Sequence, residues 1–168
     1  SDYDEIFTHE TEPDNIDTDD DGLEDGEEIN DYETNPILAD TDGDGLEDGL
    51  EINTYFTNAS NSDTDGDELN DGTEINIYFT NASSSDTDDD GLDDGVELFD
   101  CSYGSDGEQC TDPLLWDSDS DGIDDFTEIN DCIYGEDNDE CTDPTNDDSD
   151  NDGLEDWIEI SNNTWGPT

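Results

Sequence analysis

Apolar residues are sparse along this chain and recur at fixed places within acidic stretches. The stretches begin at Asp17, Asp40, Asp63, Asp86, Asp117 and Asp148, at spacings of 23, 23, 23, 31 and 31 residues. Counted from its first aspartate, each has an aliphatic residue at position seven: Leu23, Leu46, Leu69, Leu92, Ile123 and Leu154. Position thirteen is aliphatic too: Ile29, Ile52, Ile75, Leu98, Ile129 and Ile160. Tyr32, Tyr55 and Tyr78 follow at position sixteen, with Phe56 and Phe79 next to the last two. A fixed period of this kind marks a repeat architecture. Segments such as Asp48–Tyr55 have room for about two helical turns, a length marginal in water without support from neighbours. The residues ahead of each stretch are Thr, Asn, Pro, Ala and Ser, which is turn chemistry. The pattern predicts a mostly irregular chain with short α-helices and little or no sheet. It predicts an elongated solenoid or rod of loop–short-helix units, joined along a thin apolar seam at positions seven, thirteen and sixteen or seventeen.

Composition changes the picture sharply. Of 168 residues, 58 are Asp or Glu, none is Lys or Arg and one is His, for a formal charge of −58. Only 26% are hydrophobic. On these figures alone the chain reads as a disordered acidic polymer. Internal salt bridges have no partners beyond the amino terminus and a protonated His9, so the cations that hold such a chain together must come from solution. Nucleic-acid binding is excluded, because no basic side chain is present to neutralise phosphates, and so is electrostatic attraction to anionic membranes. No apolar run approaches the roughly 20 residues needed for membrane insertion.

The acid keeps a strict register. Aspartate stands at positions one, three, five and nine and glutamate at twelve in every unit, and glycine fills position six five times, with Glu68 the exception. Calcium takes six to eight hard oxygen ligands, and this is the spacing with which an EF-hand loop supplies them. Alternate carboxylates converge, the glycine turns the chain, the position-seven carbonyl joins them, position nine binds directly or through water, and the glutamate closes the shell. The candidate ligands are Asp17, Asp19, Asp21, Leu23, Asp25 and Glu28 in the first loop and Asp40, Asp42, Asp44, Leu46, Asp48 and Glu51 in the second. The third offers Asp63, Asp65, Asp67, Leu69, Asp71 and Glu74, and the fourth Asp86, Asp88, Asp90, Leu92, Asp94 and Glu97. The fifth offers Asp117, Asp119, Asp121, Ile123, Asp125 and Glu128, and the sixth Asp148, Asp150, Asp152, Leu154, Asp156 and Glu159. All-oxygen donors argue against zinc and copper, and magnesium keeps its waters. The expected cofactor is Ca²⁺, about six or more per chain, with a second ion per loop left open.

The stretch Thr34–Gly49, TNPILADTDGDGLEDG, and its equivalents over nearly the whole chain resemble bacterial-type thrombospondin type 3 repeats. That resemblance implies extracellular calcium-binding segments of surface proteins, used as spacers or stalks. The departures are Glu68 in place of the turn glycine, Phe126 and Trp157 where glycine follows position nine, and two insertions bounded by cysteines. The single helix per loop also resembles dockerin, which carries two such units against six here.

The long units replace the tyrosine with Cys101 and Cys132, add eight residues ending at Cys110 and Cys141, and then resume the common pattern. A disulfide at the base of each insertion returns the chain to the same place, so the expected pairs are Cys101–Cys110 and Cys132–Cys141. Loops this short contribute roughly 2–3 kcal/mol in the chain-entropy model. They also point to an oxidising compartment. The organisation is a half-repeat at 1–16, three 23-residue units at 17–85, two 31-residue units at 86–147 and an incomplete unit at 148–168.

Asn58, Asn81 and Asn162 head N-glycosylation sequons and are candidate glycan acceptors. His9 reads as a surface or packing residue, because a zinc site needs further nitrogen or sulfur ligands. Carboxylate pairs carry little catalytic information where acid is everywhere, and the chain is expected not to be an enzyme. The expected function is an extracellular structural calcium-binding protein, a building block of a fibre, stalk or surface appendage that associates with itself, head to tail. The half-repeats at the two ends motivate that expectation. The alternative is a monomeric calcium-binding spacer within a larger adhesin or secreted enzyme.

Overall fold

The computed structural model describes residues 9–99, 110–130 and 142–162. The chain divides into two compact units, Ser1–Ser84 and Ser85–Thr168. Among the described residues there are short helices and no strand, repeating every 23 or so residues in the first unit.

In the first unit each acidic loop runs into one turn of α-helix that widens into a π turn. These are α1 (Asp25–Glu27) with π1 (Glu28–Tyr32), α2 (Asp48–Leu50) with π2 (Glu51–Tyr55), and α3 (Asp71–Thr73) with π3 (Glu74–Tyr78). Position eight is the extended N-cap. Asn70 accepts a bond there from the Thr73 N–H, and Glu24 forms a reciprocal capping box with Glu27. The π turns end on a left-handed residue, Glu33, Phe56 or Phe79, at φ of 61°, 62° and 65°. The Phe56 N–H donates to the Glu51 carbonyl at 2.7 Å, the five-residue closure that defines the wide turn. In the second unit the helices are α4 (Asp94–Phe99), α5 (Asp125–Asn130) and α6 (Asp156–Asn162).

Two bonds close every loop. The position-nine N–H donates to the carbonyl just ahead of the loop, as in Asp48 to Ala39 at 2.9 Å and Asp94 to Ser85 at 2.8 Å. The glycine at position six bonds back to the first aspartate, as in Gly45 to Asp40 Oδ2 at 3.1 Å. Glycine suits the place because φ there is near +100°, a region open to residues without a Cβ. Glu68 adopts the same turn at φ +80° and keeps the bond to Asp63 Oδ2 at 3.3 Å.

The interior inverts the usual order of side chains. The apolar residues in it are Leu23, Leu46, Leu69, Leu92, Ala59 and Ala82. The largest fully buried side chains are instead carboxylates: the six glutamates at position twelve and five aspartates at position nine. Position seven is buried in the first four units, as the apolar seam requires, but Leu154 is 43% exposed. The aromatic part of the expected seam is corrected: Phe56 is 77% exposed and Phe79 72%. Both follow a π turn in the left-handed conformation and are poorly covered, while the neighbouring Thr57 and Thr80 are buried.

Candidate metal centre

Position one anchors the loop. Asp40 accepts from the Gly43 N–H at 2.7 Å through Oδ1 and from Gly45 through Oδ2. Asp42, at position three, accepts from the Asp44 N–H at 3.3 Å through Oδ1, and its Oδ2 is buried with no hydrogen-bond partner. Asp44 Oδ1 accepts from Leu46 N–H at 2.8 Å. These three aspartates each bring a carboxylate oxygen within 4.8 Å of the others, and so do Asp17, Asp19 and Asp21 in the first loop and Asp63, Asp65 and Asp67 in the third.

A second group forms where consecutive repeats of the first unit meet. Asp21, Glu28 and Asp48 converge within the same distance, as do Asp44, Glu51 and Asp71. Position five and position twelve of one repeat thus meet position nine of the next. The backbone makes the junction. Asp21 Oδ2 accepts from the Gly49 N–H at 3.0 Å and Asp44 Oδ2 from Gly72 at 2.7 Å, partners 28 residues apart. In the second unit the same bond spans 36 residues, from Phe126 to Asp90 and from Trp157 to Asp121, each at 3.2 Å. The eight extra residues of the long repeats leave it intact.

Position nine is therefore placed by more than its own loop. Asp48 takes the Thr41 N–H on Oδ1 at 2.7 Å and the Thr41 hydroxyl on Oδ2 at 2.6 Å. The equivalent pairs are Thr18–Asp25, Thr64–Asp71, Thr87–Asp94, Ser118–Asp125 and Ser149–Asp156. The Thr41 hydroxyl also accepts from the Asn35 N–H at 2.9 Å, fastening the preceding turn to the loop. This position-two hydroxyl is a functional residue that reasoning from the ligand pattern passed over. Its signal was present, because the place is Thr or Ser in all six units.

The electrostatics are those of a centre short of positive charge. Glu51 Oε1 accepts from the Thr57 hydroxyl at 3.1 Å, and Oε2 is buried without a partner. Burial, then repulsion from Asp42, drives the Glu51 carboxyl up to about 8. Glu74 rises to about 8 and Glu28 to about 7 for the same reasons. Glu97 and Glu128 are pushed to about 9, chiefly by burial. Asp42, Asp65 and Asp88 reach about 6 and Asp119 about 7, burial leading in each case. Buried polar atoms normally find partners, and burying a carboxylate unpaired is costly. Here unpartnered carboxylate oxygens recur at positions three and twelve: Asp19, Glu28, Asp42, Glu51, Asp65, Glu74, Asp119 and Glu128. The donor set is entirely oxygen and fits a hard divalent cation. These clustered, buried carboxylates can bind metal ions.

The aromatics at position ten sit against glycines of the preceding loop. A Cβ on Gly91 would meet the Phe126 ring at 3.2 Å, and one on Gly122 would lie 3.8 Å from Trp157. His9 lines a surface cleft with Pro13, Ile16 and Ile29. Cys101, Cys132 and Cys141 lie outside the described residues; Cys110 Sγ is 3.5 Å from the Leu98 carbonyl oxygen. Among the described residues no helix is long and apolar enough to cross a membrane.

No family model and no curated protein matches the chain. Among the solved structures that match, two cover a short part of it. One is the B domain of a biofilm associated protein, 45% identical over 26% of this chain and 11% of that one, with a TM-score of 0.26. The other is the BSP domain of a biofilm associated protein, 46% identical over 26% of this chain and 7% of that one, with a TM-score of 0.25. At these TM-scores neither likeness bears on the fold or the function, and the chain spans only a small fraction of either protein.

Proposed function

We propose that this chain is an extracellular calcium-binding structural protein, a segment of a fibre, stalk or surface appendage whose folding depends on Ca²⁺. The observation that carries the reading is the set of buried, unpartnered carboxylate oxygens at positions three and twelve. A bound divalent ion supplies the positive charge this chain lacks. Within a loop, the carboxylates at one, three, five and twelve, with the position-seven carbonyl, hold the ion. Position two orients the position-nine carboxylate of its own repeat, and in the first unit Asp48 and Asp71 face positions five and twelve of the repeat before them. Each of the two junctions within the first unit thus places acid from two repeats around one point. Cation binding then stiffens the joint as well as the loop, a property suited to a load-bearing repeat.

The cysteines complete the reading. We assign Cys101–Cys110 and Cys132–Cys141 as the pairs, supported by Cys110 being disulfide-bonded and by the unbroken junction bonds on either side of the insertions. Disulfides accord with life outside the cell.

Elemental analysis of the purified full chain, with far-ultraviolet circular dichroism before and after chelation, tests the proposal. Calcium at about one ion per loop or more, with loss of helical signal on its removal, is expected. A chain that stays ordered above about pH 8, where the buried glutamates are ionised, after verified removal of all divalent metal would sink it. Electron microscopy of natural material then separates the fibre from the spacer, since only a fibre shows end-to-end contacts.

A further inference from the structure

Among the described residues, the two most exposed phenylalanines lie two residues ahead of two asparagines. Phe56 precedes Asn58-Ala59-Ser60 and Phe79 precedes Asn81-Ala82-Ser83. Both phenylalanines hold the left-handed turn at φ 62° and 65°, where an exposed large apolar side chain is doubly unexpected. The three-residue segments are presented identically. Ala59 and Ala82 are buried at 3% and 4%, while the asparagines and serines on either side are exposed. Each asparagine Oδ1 accepts from the backbone N–H of the serine two residues on, at 3.3 Å, so both side chains are held in the same turn. A surface cleft there is lined by Tyr55, Ile75, Phe79, Thr80, Asn81 and Ala82.

The remaining repeats lack both features together. In the first 23-residue unit the left-handed residue is Glu33, and Asn35 is followed by Pro36, which forbids glycosylation. In the long units the place of the phenylalanine is taken by Cys110 or Cys141, and Asp112-Pro113 or Asp143-Pro144 replaces the acceptor. An exposed ring therefore occurs at this turn only where an acceptor asparagine follows it.

We propose that Asn81 and Asn58 carry N-linked oligosaccharides whose first sugar ring lies on the face of Phe79 or Phe56, with Tyr55 completing the floor at Asn81. A sugar has one apolar face of C–H groups that packs on an aromatic ring, and an exposed aromatic beside the acceptor supplies that surface. In the linking step the amide nitrogen bonds to the anomeric carbon of an oligosaccharide carried on a lipid phosphate. The bond from that carbon to the phosphate oxygen breaks, the lipid phosphate leaves with the electron pair, and the amide gives up one proton. Nothing is oxidised or reduced. The glycan covers apolar rings that the described residues leave exposed, and it adds uncharged bulk to a polyanion.

Glycopeptide mass spectrometry on the full chain, from its natural source and secreted from an N-glycosylating host, reads the outcome. Sugar on Asn58 and Asn81 is expected, and Ser83→Ala abolishes it at Asn81 alone. Phe79→Ala lowers Asn81 occupancy about threefold, the size expected for loss of one aromatic contact, while Phe79→Trp restores it and Asn58 is unchanged. Asn162, with Ile160 in place of a phenylalanine two residues ahead of it, provides an internal comparison. In calcium, enzymatic trimming lowers the thermal midpoint of the wild type more than that of Phe56→Ala/Phe79→Ala. Bare Asn58 and Asn81 in natural material would overturn the sites. Equal occupancy and equal midpoint shifts with and without the phenyl rings would overturn the platform.

Discussion

Asp21 holds Gly49 twice: its side chain accepts the Gly49 N–H at 3.0 Å, and its own carbonyl oxygen occupies the space where a Cβ on Gly49 would sit. Gly72 stands in the same relation to Asp44. One glycine thus sets how closely consecutive repeats of the first unit approach, and the approach brings position nine of one repeat to the glutamate of the other.

Replacing Gly49 or Gly72 with alanine forces that joint open. Each substitution should cost roughly 1–3 kcal/mol, as over-packing against rigid backbone does, whereas Gly26→Ala, with nothing within 4 Å of the new Cβ, should be close to neutral. Urea titration in calcium measures all three. A neutral Gly49→Ala would mean the junction has slack that the structure does not show.

Thr41→Val keeps the shape of the side chain and removes the hydroxyl that donates to Asp48 and accepts from Asn35. A hydrogen bond to a charged group is worth about 1.5–3 kcal/mol, so a loss of this size is expected in calcium. Thr41→Ser should recover most of it, since Ser118 and Ser149 do the same work. Thermal unfolding of the two variants decides the matter.

Acid and calcium should act in opposite directions on the metal-free and loaded chains. In the metal-free fold Glu28 rises to about 7 and Glu51 to about 8, against about 4.3 for glutamate in an unfolded chain. Folding without metal therefore takes up protons. Its stability is fullest below about pH 4 and is lost as the pH rises through 7 and 8. Loaded sites need ionised carboxylates, so calcium affinity falls as the solution is acidified. Circular dichroism in chelator across this range should show order declining with pH, and calorimetric titration should show affinity climbing. A helical signal in chelator that is indifferent to pH would contradict the first half.

Glu68 takes a turn that the other five repeats give to glycine, at φ +80°. A left-handed non-glycine residue costs roughly 1–2 kcal/mol, partly returned by the lower entropy of its unfolded chain. Glu68→Gly should therefore stabilise the third loop by about 1 kcal/mol. Calcium-dependent thermal unfolding reads the change.

Sequence alone determined the repeat, its register, the short helices after each loop and the identity of the acidic residues, because a period carried by aspartate, glycine and leucine is visible without coordinates. It also exposed the shortage of positive charge, since that is a matter of counting. Some local features were legible in hindsight: position four is Asp, Gly, Ser or Asn in every unit, residue types that tolerate its left-handed turn. Only the tertiary structure decided that, in the first unit, position nine of one repeat joins positions five and twelve of the one before it, and that Phe56 and Phe79 face outward. Both depend on the angle at which a π turn hands the chain to the next loop. A spacing of 23 residues fixes how often such a turn occurs but not its direction.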